Sequence, residues 1–356
     1  MSQKKIRIGM IGSRFAADFH ADCYRRDPRV ELVAVAGRDE KRLRAYAEKW
    51  KVPHTCTDHK ELLKRKDIDV VALCSPNNTH APMVQDAAQA GKHVICEKPL
   101  ATNLADAEAA IKACAQAKVK LFYAEDWCFA PALLRVEEAV REGAVGEVLY
   151  VKAKECHNGT HSPYAKNKDT CGGGCLIHLG IHPIGWALHF LGRNGQNPCV
   201  EVIGKANFGG KDNYVHKENG GEDFALGILK FKDGQHAFIE GNYITVGGMD
   251  DQVEIYGTQG RISVDLTFGS PVSVYSRPGY SYALEKADNT LGWTRPAVDE
   301  FYNLGYVKEL EHFFDCLRED RQPAWGVSGA AGLACVRIVE ALYRSNKERK
   351  TVELTG

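Results

Sequence analysis

The chain has 356 residues, of which 44% are hydrophobic and 26% charged, and its 46 Lys and Arg residues balance its 46 Asp and Glu residues. This composition is typical of a globular protein of about two domains, and the balanced charge gives no general attraction to nucleic acid or an anionic membrane. The sequence has no apolar run of membrane-spanning length and no signal-peptide pattern before its first strand, and its 12 cysteines are scattered. We therefore expect a cytoplasmic protein with reduced thiols and with neither nucleic-acid nor membrane partners.

The first 124 residues alternate apolar strand patterns with amphipathic helix patterns. The strands are predicted at IRIGMIG, VELVAVAG, DVVALCSP, HVICEKP and LFYAED. Continuous apolar strands separated by helices indicate a parallel sheet that is covered on both faces. Ligands of such sheets bind at the carboxyl ends of the strands. The fold class is therefore α/β, with a Rossmann dinucleotide-binding domain at residues 1–124.

Residues 125–356 show a different pattern. A single helix, PALLRVEEAVREG, precedes strands of alternating polarity such as VLYVKAKECH, DFALGILKF and DQVEIYG. Alternation of this kind indicates a half-buried antiparallel or mixed sheet. We predict an α+β domain with a large, mostly antiparallel open sheet, which binds substrate and forms oligomers. The pattern leaves open whether the C-terminal helix packs back on the first domain.

The turn after the first strand carries part of a phosphate-binding fingerprint. Gly12 occupies the place of the first glycine of G-x-G-x-x-G/A, and Ala17 the place of the last small residue. Arg14 replaces the middle glycine, yet its guanidinium and backbone N–H are both suited to a pyrophosphate at a helix N-terminus. The alternative is a plain strand–turn–helix without a nucleotide.

Further cofactor-binding candidates follow the other strands. After the second strand, Gly37 and Arg38 leave room and positive charge for a 2′-phosphate, so both NAD and NADP remain open. The predicted cofactor-binding residues are Gly12, Ser13, Arg14, Phe15, Ala16, Gly37, Arg38, Ser75, Pro76, Asn77, His80, Glu97 and Lys98.

These motifs together carry a resemblance that extends over nearly the whole chain. The Gly12 turn, Pro76-Asn77 with His80, and Glu97-Lys98-Pro99 resemble the glucose–fructose oxidoreductase/inositol dehydrogenase (Gfo/Idh/MocA) family. The resemblance continues through EDWCFAPALLRVEEAVREGAVGEVLYV, GGGCLIHLGIH and QVEIYGTQGRI. It implies that Lys98 lies beside the nicotinamide and assists proton transfer to or from a substrate hydroxyl.

The second-domain motif departs from that family. The family pattern G-G-G-x-L-x-D-x-G-x-H places an aspartate and a histidine near the reacting carbon. Here His182 matches the histidine, but His178 stands in the place of the aspartate. The two histidines are four residues apart, so if they lie on one helix they share a face. The predicted catalytic residues are Lys98 and His182, with His178 as an unusual third member.

A second cluster of polar residues precedes this motif. Glu155, His157 and His161 lie in KECHNGTHS, and together with His178 and His182 they form a candidate substrate site. Three interpretations stay open: substrate binding with proton relay, hydrogen-bonded structural histidines, or a divalent metal site, which is possible but not favoured. Trp127 is a candidate to pack on the apolar face of a sugar ring.

The sequence thus predicts an NAD(P)-dependent oxidoreductase that moves hydride between nicotinamide and a secondary alcohol of a sugar, glycoside or cyclitol. One alternative is a glycoside-cleaving enzyme that uses tightly bound NAD for transient oxidation at C3 followed by elimination. A second alternative is a non-catalytic NAD(P)-sensing regulatory protein. We expect a homodimer or homotetramer, because open sheets of this kind pair face to face.

Overall fold

The structure is a computed structural model that describes residues 4–267, 272–280, 289–296 and 298–354. It contains two compact units, the first made of residues 1–125 and 306–336 and the second of residues 126–305 and 337–356. The prediction placed residues 306–336 in the second domain, whereas in the structure they belong to the first unit.

The first unit contains a six-stranded sheet with its connecting helices. Its strands are β1 (Ile6–Ile11), β2 (Val30–Ala36), β3 (His54–Cys56), β4 (Val70–Leu73), β5 (His93–Glu97) and β6 (Leu121–Ala124). Its helices are α1 (Phe15–Arg26), α2 (Glu40–Trp50), α3 (His59–Leu63), α4 (His80–Gln89) and α5 (Leu104–Ala117), with a 3-10 turn at Asn77–Thr79.

The strand order is β3-β2-β1-β4-β5-β6, and all neighbouring strands are parallel. This is the order of a Rossmann fold, and the sheet places the carboxyl ends of all six strands at one edge. Every residue of β4 is buried, so the sheet is covered on both faces. The predicted parallel sheet is confirmed, but β3 was missed because it has only three residues, none of them fully buried, and so gives no apolar run.

The second unit begins with a 3-10 turn at Asp126–Phe129 and contains most of the remaining elements. Its helices are α6 (Pro131–Arg141), α7 (Lys168–Cys171), α8 (Cys175–His178), α9 (Ile181–Phe190) and α10 (Glu300–Asn303). Its strands are β7 (Val148–Cys156), β8 (Cys199–Ala206), β9 (Phe224–Phe231), β10 (His236–Asn242), β11 (Asp250–Gly257), β12 (Arg261–Asp265), β13 (Val274–Ser276), β14 (Gly292–Thr294) and β15 (Val352–Glu353). Further 3-10 turns lie at Pro163–Lys166 and Gly210–Asp212.

Seven of these strands form one mixed sheet in the order β12-β11-β7-β10-β9-β8-β15. Only the β10–β7 pair is parallel among the described pairs of this sheet, so the predicted mostly antiparallel sheet is confirmed. Side chains alternate between its faces. Val151 and Ala153 of β7 are buried with Val253 and Ile255 of β11 on the inner face, where the core of this unit lies. β13 and β14 pair separately.

The first unit is completed by a segment from late in the chain. Helix α11 (Tyr306–Arg318) contributes Phe313 and Phe314, which are buried. The Phe313 ring lies 4.8 Å from that of Phe122 in β6, and Ser328 forms a backbone bridge with Phe122. A 3-10 turn at Trp325–Val327 follows α11, and helix α12 (Gly329–Glu348) begins in the first unit and ends in the second.

Within the ranges given above, no helix is both long enough and apolar enough to cross a membrane.

Candidate functional site

The turn after β1 is shaped by a close approach of two backbones. Gly12 has φ +122°, and a Cβ at this position would lie 2.1 Å from the carbonyl oxygen of Cys74, at the end of β4. Only glycine fits here, because any side chain would collide with the neighbouring strand end. The backbone N–H of Gly12 donates to the carbonyl of Ala36, so the end of β2 is fixed to the same turn.

The N-terminus of α1 follows this turn and is a suitable place for a pyrophosphate. Arg14 is the N-cap residue; it is exposed, and its side chain makes no capping hydrogen bond. The position that a Cβ on Gly37 would take lies 3.6 Å from the Ser13 hydroxyl, so the ends of β1 and β2 adjoin. The structure therefore brings Gly12, Ser13, Arg14 and Gly37 together at a helix N-terminus, and these residues fit a dinucleotide.

The end of β2 carries charged groups around the start of α2. Arg38 is exposed, and Asp39 is the N-cap of α2, where its carboxylate accepts a hydrogen bond from the backbone N–H of Arg42 at 3.0 Å. The pKa of Asp39 is lowered, chiefly by this hydrogen bond. The exposed Arg38 and the ionised Asp39 are thus neighbours at the end of β2, the place where a Rossmann fold binds the adenosine ribose of a dinucleotide.

The ends of β4 and β5 are joined through one buried histidine. His80, at the start of α4, places Nδ1 2.7 Å from the carbonyl oxygen of Pro99 and Nε2 2.9 Å from that of Ser75. Ser75 in turn contacts the Thr79 hydroxyl at 2.7 Å. Burial lowers the pKa of His80. His80 therefore acts as a clamp between two strand ends, so it positions the turn that contains Lys98.

Glu97 and His20 form a buried pair under that turn. The Glu97 carboxylate contacts Nε2 of His20 at 2.9 Å and accepts a 3.2 Å hydrogen bond from the backbone N–H of Lys98. Tyr24 contacts the other ring nitrogen of His20 at 2.8 Å. Burial alone would raise the pKa of Glu97, but the hydrogen bond from His20 and the charges of His20, Lys98 and His80 outweigh it, so this pKa is lowered. The backbone of the half-buried Lys98 is therefore held in place by the anchored Glu97 carboxylate.

In the second unit, the three-glycine stretch packs against Glu222, just before the start of β9. Cβ atoms added to Gly173 and Gly174 would lie 2.1 Å from the Tyr343 hydroxyl and from the Glu222 carbonyl oxygen, respectively. The Glu222 carboxylate accepts hydrogen bonds from the Leu176 N–H at 3.0 Å and the Tyr343 hydroxyl at 2.8 Å. These contacts explain the glycines as a close backbone approach that fixes the start of α8.

The expectation that His178 and His182 share one helix is wrong. His178 ends α8, and His182 lies in α9, which starts at Ile181. The N–H groups of Leu179 and Gly180 both bond to the carbonyl of Cys175, so the regular hydrogen-bond ladder is interrupted between the two histidines. The two side chains consequently reach different partners.

His178 contacts a buried tyrosine. Its Nδ1 lies 2.6 Å from the hydroxyl oxygen of Tyr243, which follows β10 and has 1% of its surface exposed. The buried ring of His157 lies 5.8 Å from that of Tyr243, and Nε2 of His216 contacts the Tyr243 carbonyl oxygen at 2.8 Å. Burial raises the pKa of Tyr243 well above its usual value. The histidines at 157 and 178 therefore belong to one cluster built around this residue.

His182 lies between two carboxylates. Its Nδ1 is 3.1 Å from Asp126 Oδ1, and its Nε2 is 3.8 Å from Glu155 Oε2. The ring stacks on Trp127 with centroids 5.9 Å apart and an interplanar angle of 14°. All four side chains are buried. This arrangement fixes the orientation of the imidazole and supplies groups that can bind hydroxyls and move a proton.

A further buried carboxylate stands behind Glu155. Asp251 of β11 is the direct cross-strand partner of Glu155 in β7. It is fully buried, and burial raises its pKa well above the usual value, with further increases from the charges of Glu155 and Asp126. Carboxylates directly opposite one another repel, so Asp251 holds a proton under conditions in which exposed aspartates are ionised.

The predicted polar set is therefore divided. Glu155 and His182 lie together, His157 and His178 lie around Tyr243, and His161 is exposed on the loop that follows β7. A divalent metal held by these five residues, the interpretation that the sequence did not favour, stays an untested alternative. Sequence reasoning missed four residues: His20, Asp126, Tyr243 and Asp251. Asp126, beside Trp127, was the one with a signal, because a carboxylate next to a predicted ring-packing tryptophan marks a polar site.

We expect Glu97→Gln to lower the free energy of unfolding at pH 7 by about 2 kcal/mol, because the buried His20 loses its charged partner. Since the pKa of Glu97 lies below its usual value of 4.5, this contribution is present above that pH and is lost as the pH falls through the lowered pKa. The difference between wild type and variant, measured by urea unfolding from about pH 7 to about pH 3, should therefore shrink. The exposed Glu108→Gln is the control and should match the wild type throughout; a difference that grows with acid would contradict the assignment.

We expect Asp251→Asn to stabilise the protein. The raised pKa of Asp251 makes the folded state lose stability as the pH rises above the usual carboxyl range, so the amide should gain at least ~1 kcal/mol at pH 8 and less at pH 4. Asp250→Asn is the matched control, since Asp250 pairs with Lys154 and its loss should cost about 0.5 kcal/mol. Thermal unfolding of both variants across this pH range gives the comparison. A destabilised Asp251→Asn at pH 8 would show that this carboxylate is ionised and paired.

The chain is similar to known proteins over its full length. The Gfo/Idh/MocA model "Oxidoreductase family, NAD-binding Rossmann fold" matches residues 6–125, and the model of the family's C-terminal alpha/beta domain matches residues 137–354. Myo-inositol 2-dehydrogenase of Thermotoga maritima is 29% identical, with 98% of each chain covered. D-apiose dehydrogenase of Paraburkholderia graminis is 28% identical over 99% of this chain and 90% of its own.

Among solved structures, GenD2 from gentamicin A biosynthesis, in complex with NAD, superposes with a TM-score of 0.91 at 25% identity, covering 99% of this chain and 97% of its own. The two family models together span the Rossmann unit and the large mixed sheet, and they confirm the resemblance inferred from the Gly12 turn and the Glu97-Lys98-Pro99 motif. The chain belongs to the Gfo/Idh/MocA family of oxidoreductases and carries that family's NAD-binding Rossmann domain.

Proposed function

We propose that this protein is an NAD(P)-dependent dehydrogenase that oxidises a secondary alcohol of a sugar, glycoside or cyclitol, or reduces the corresponding ketone. The observation that carries this proposal is the buried arrangement of His182 between Asp126 and Glu155, stacked on Trp127. Carboxylates and imidazoles bind hydroxyls, and an indole face packs on the C–H face of a ring. Relatives named for myo-inositol and D-apiose support a polyhydroxylated substrate.

The chemistry divides between the cofactor and the side chains. Bound NAD(P) would supply the hydride acceptor or donor, held by the Gly12 turn, the N-terminus of α1 and the residues at the ends of β2, β4 and β5. Lys98, anchored through Glu97, exchanges a proton with the substrate hydroxyl. From the second unit we propose His182, oriented by Asp126, and His178 as further catalytic residues.

The choice between NAD and NADP depends on the end of β2. The N-cap role of Asp39 keeps a carboxylate at this position, which favours the ribose hydroxyl of NAD. The exposed Arg38 supplies a charge for a 2′-phosphate. We infer that NAD is the preferred cofactor, with NADP accepted at lower affinity.

The cellular setting follows from the thiols. The twelve cysteines are free and mostly buried, which suits a reducing compartment such as the cytoplasm. The partner that we propose is a small carbohydrate or cyclitol.

We infer that the outer face of the seven-stranded sheet pairs with a second copy. Ile203, Ile228 and Phe238 are register partners across β8, β9 and β10, and the Tyr150 ring contacts Phe238 at 5.7 Å and stacks on Tyr256 at 4.5 Å. Phe238 is 41% exposed and Ile203 is 44% exposed. Lysines and glutamates of the same face, such as Lys152 with Glu254, give it both charge signs, which suits a two-fold self-contact.

The activity is tested by the nicotinamide absorbance of the protein mixed with NAD⁺ and a panel of inositols, free sugars and glycosides. We expect reduced nicotinamide to accumulate in step with a keto product for one substrate class. Lys98→Ala should lower this rate at least about 100-fold even at an NAD⁺ concentration that saturates the variant, with its occupancy checked by calorimetry. Lys112→Ala, an exposed lysine of α5, should behave as wild type.

Other outcomes would replace the proposal. Cleavage of a glycoside without net reduction of NAD would show the elimination chemistry instead. NAD binding with no turnover on any substrate, and no effect of Lys98→Ala in cells, would show a regulatory protein.

For the oligomer, we expect Phe238→Lys to convert a dimer or tetramer into smaller species, because the substitution places a charge in the apolar stripe. Light scattering coupled to gel filtration measures the mass. Val246→Lys, on a residue that is 71% exposed outside this face, is the control. A wild-type monomer, or an unchanged Phe238→Lys oligomer, would contradict the pairing.

A further inference from the structure

Helix α1 buries two polar side chains that have no role in the proposed reaction so far. His20 and Tyr24 have 0% and 3% of their surfaces exposed. They are four residues apart on one helix, so their side chains share a face. Apolar side chains of similar volume would fill this space without the cost of burying an imidazole and a phenol. A role beyond packing is therefore expected for both residues.

The two side chains begin a series of hydrogen bonds that ends at Lys98. The Tyr24 hydroxyl contacts Nδ1 of His20 at 2.8 Å, and Nε2 of His20 contacts Oε1 of Glu97 at 2.9 Å. The other carboxylate oxygen, Oε2 of Glu97, accepts the backbone N–H of Lys98 at 3.2 Å. An ionised carboxylate only accepts hydrogen bonds, so Nε2 of His20 is the donor to Glu97 and Nδ1 is left for Tyr24.

The surroundings of His20 restrict its ring to this orientation. The Tyr24 ring lies edge-on to it with centroids 5.7 Å apart, and the Tyr306 ring of α11 lies edge-on at 6.2 Å. Tyr306 is itself packed edge-on against Phe19 of α1, at 5.1 Å. With both ring nitrogens engaged and two aromatic rings against it, the imidazole cannot turn without breaking a hydrogen bond.

The two sides of the lysine turn are held by different helices. After the lysine, the carbonyl oxygen of Pro99 contacts Nδ1 of His80, which begins α4. Before the lysine, Glu97 contacts His20 of α1. Loss of His20 therefore releases one side of the turn and leaves the other side in place.

We propose that His20, with Tyr24 behind it, is a positioning residue that acts through Glu97 to hold the turn of Lys98 in a fixed place relative to α1. The N-terminus of α1 is the proposed pyrophosphate site, so one rigid helix both carries that site and holds the lysine turn. Such a hold matters because a displacement of about 1 Å in a catalytic site can lower the rate about 100-fold. The inference rests on the proposed role of Lys98, but the hydrogen bonds themselves do not depend on it.

The hold on the turn can be measured without substrate. In protein labelled with ¹⁵N-lysine, the Lys98 amide signal is assigned by its loss in Lys98→Arg, and its hydrogen exchange is then followed. We expect His20→Leu to speed this exchange at least about tenfold, because Glu97 loses the partner that fixes it. His20→Gln keeps an N–H donor for Glu97 and should stay within about threefold of wild type. Equal exchange in wild type and His20→Leu would overturn the proposal.

Tyr24→Phe and Tyr46→Phe form a matched pair. The Tyr46 hydroxyl donates to the carbonyl of Ala17 at 2.7 Å, so each variant removes one buried phenol hydrogen bond to a residue of α1. Only Tyr24 belongs to the series that reaches Lys98. We expect both variants to unfold at a similar, lower temperature, and exchange of the Lys98 amide to be faster in Tyr24→Phe alone. The same exchange in both variants would overturn the role of Tyr24.

Kinetics show whether the hold serves the reaction. With a polyol found active in the substrate panel and with NAD⁺ at saturation, His20→Leu should lower kcat at least about tenfold and change KM less than about threefold. His20→Gln should restore most of this loss, and Tyr46→Phe should turn over as wild type does.

Two outcomes separate this inference from the proposed function. Faster exchange of the Lys98 amide in His20→Leu with an unchanged kcat would show that His20 only stabilises the turn, and would overturn the positioning role. A wild-type protein inactive on all polyols would contradict the proposed function, whereas the exchange rates would still decide whether His20 and Tyr24 hold the turn.

Discussion

A carboxylate removed from water must be given hydrogen-bond donors or a proton, and both units of this protein are organised around that constraint. Glu97 is satisfied by His20 and by the backbone of the turn that carries Lys98. Asp223 accepts from three consecutive N–H groups, those of Tyr214, Val215 and His216. The donors that stabilise each buried carboxylate also fix the loops around it. The hydrogen bonds that compensate for the loss of water therefore also position the residues of the candidate site.

The parts of the fold that sequence reasoning reached are those with repeated patterns. The apolar strands that end at Gly12, Gly37 and Ser75 stand out because most of their residues are buried, and their parallel pairing follows from the helices between them. Strand β3 escaped this reasoning, because three partly exposed residues give no pattern and acquire their pairing only from β2. The assignment of residues 306–336 to the first unit could not be predicted either, because the pattern of an amphipathic helix shows which face is buried but not which sheet it packs against.

For the candidate site, residue types were predictable and their grouping was not. His178 and His182 were singled out correctly as chemically capable residues, but the shared carbonyl of Cys175 separates them into two helices. The partners that define their roles, Tyr243 and Asp126, come from distant parts of the sequence. Asp251 carries no motif at all, and its significance arises only from the antiparallel register that sets it opposite Glu155.

The way the first unit is assembled from two stretches of chain has a consequence for its biosynthesis. The aromatic residues of α11 reach their places against α1 and β6 only after most of the second unit, which lies between them in the sequence, has been made. Until then, a nascent chain carries a parallel sheet with one part of its apolar surface uncovered, which is the kind of species that chaperones recognise. Because contacts between residues so far apart in sequence close slowly, the cofactor-binding unit, although encoded first, is expected to be completed among the last steps of folding.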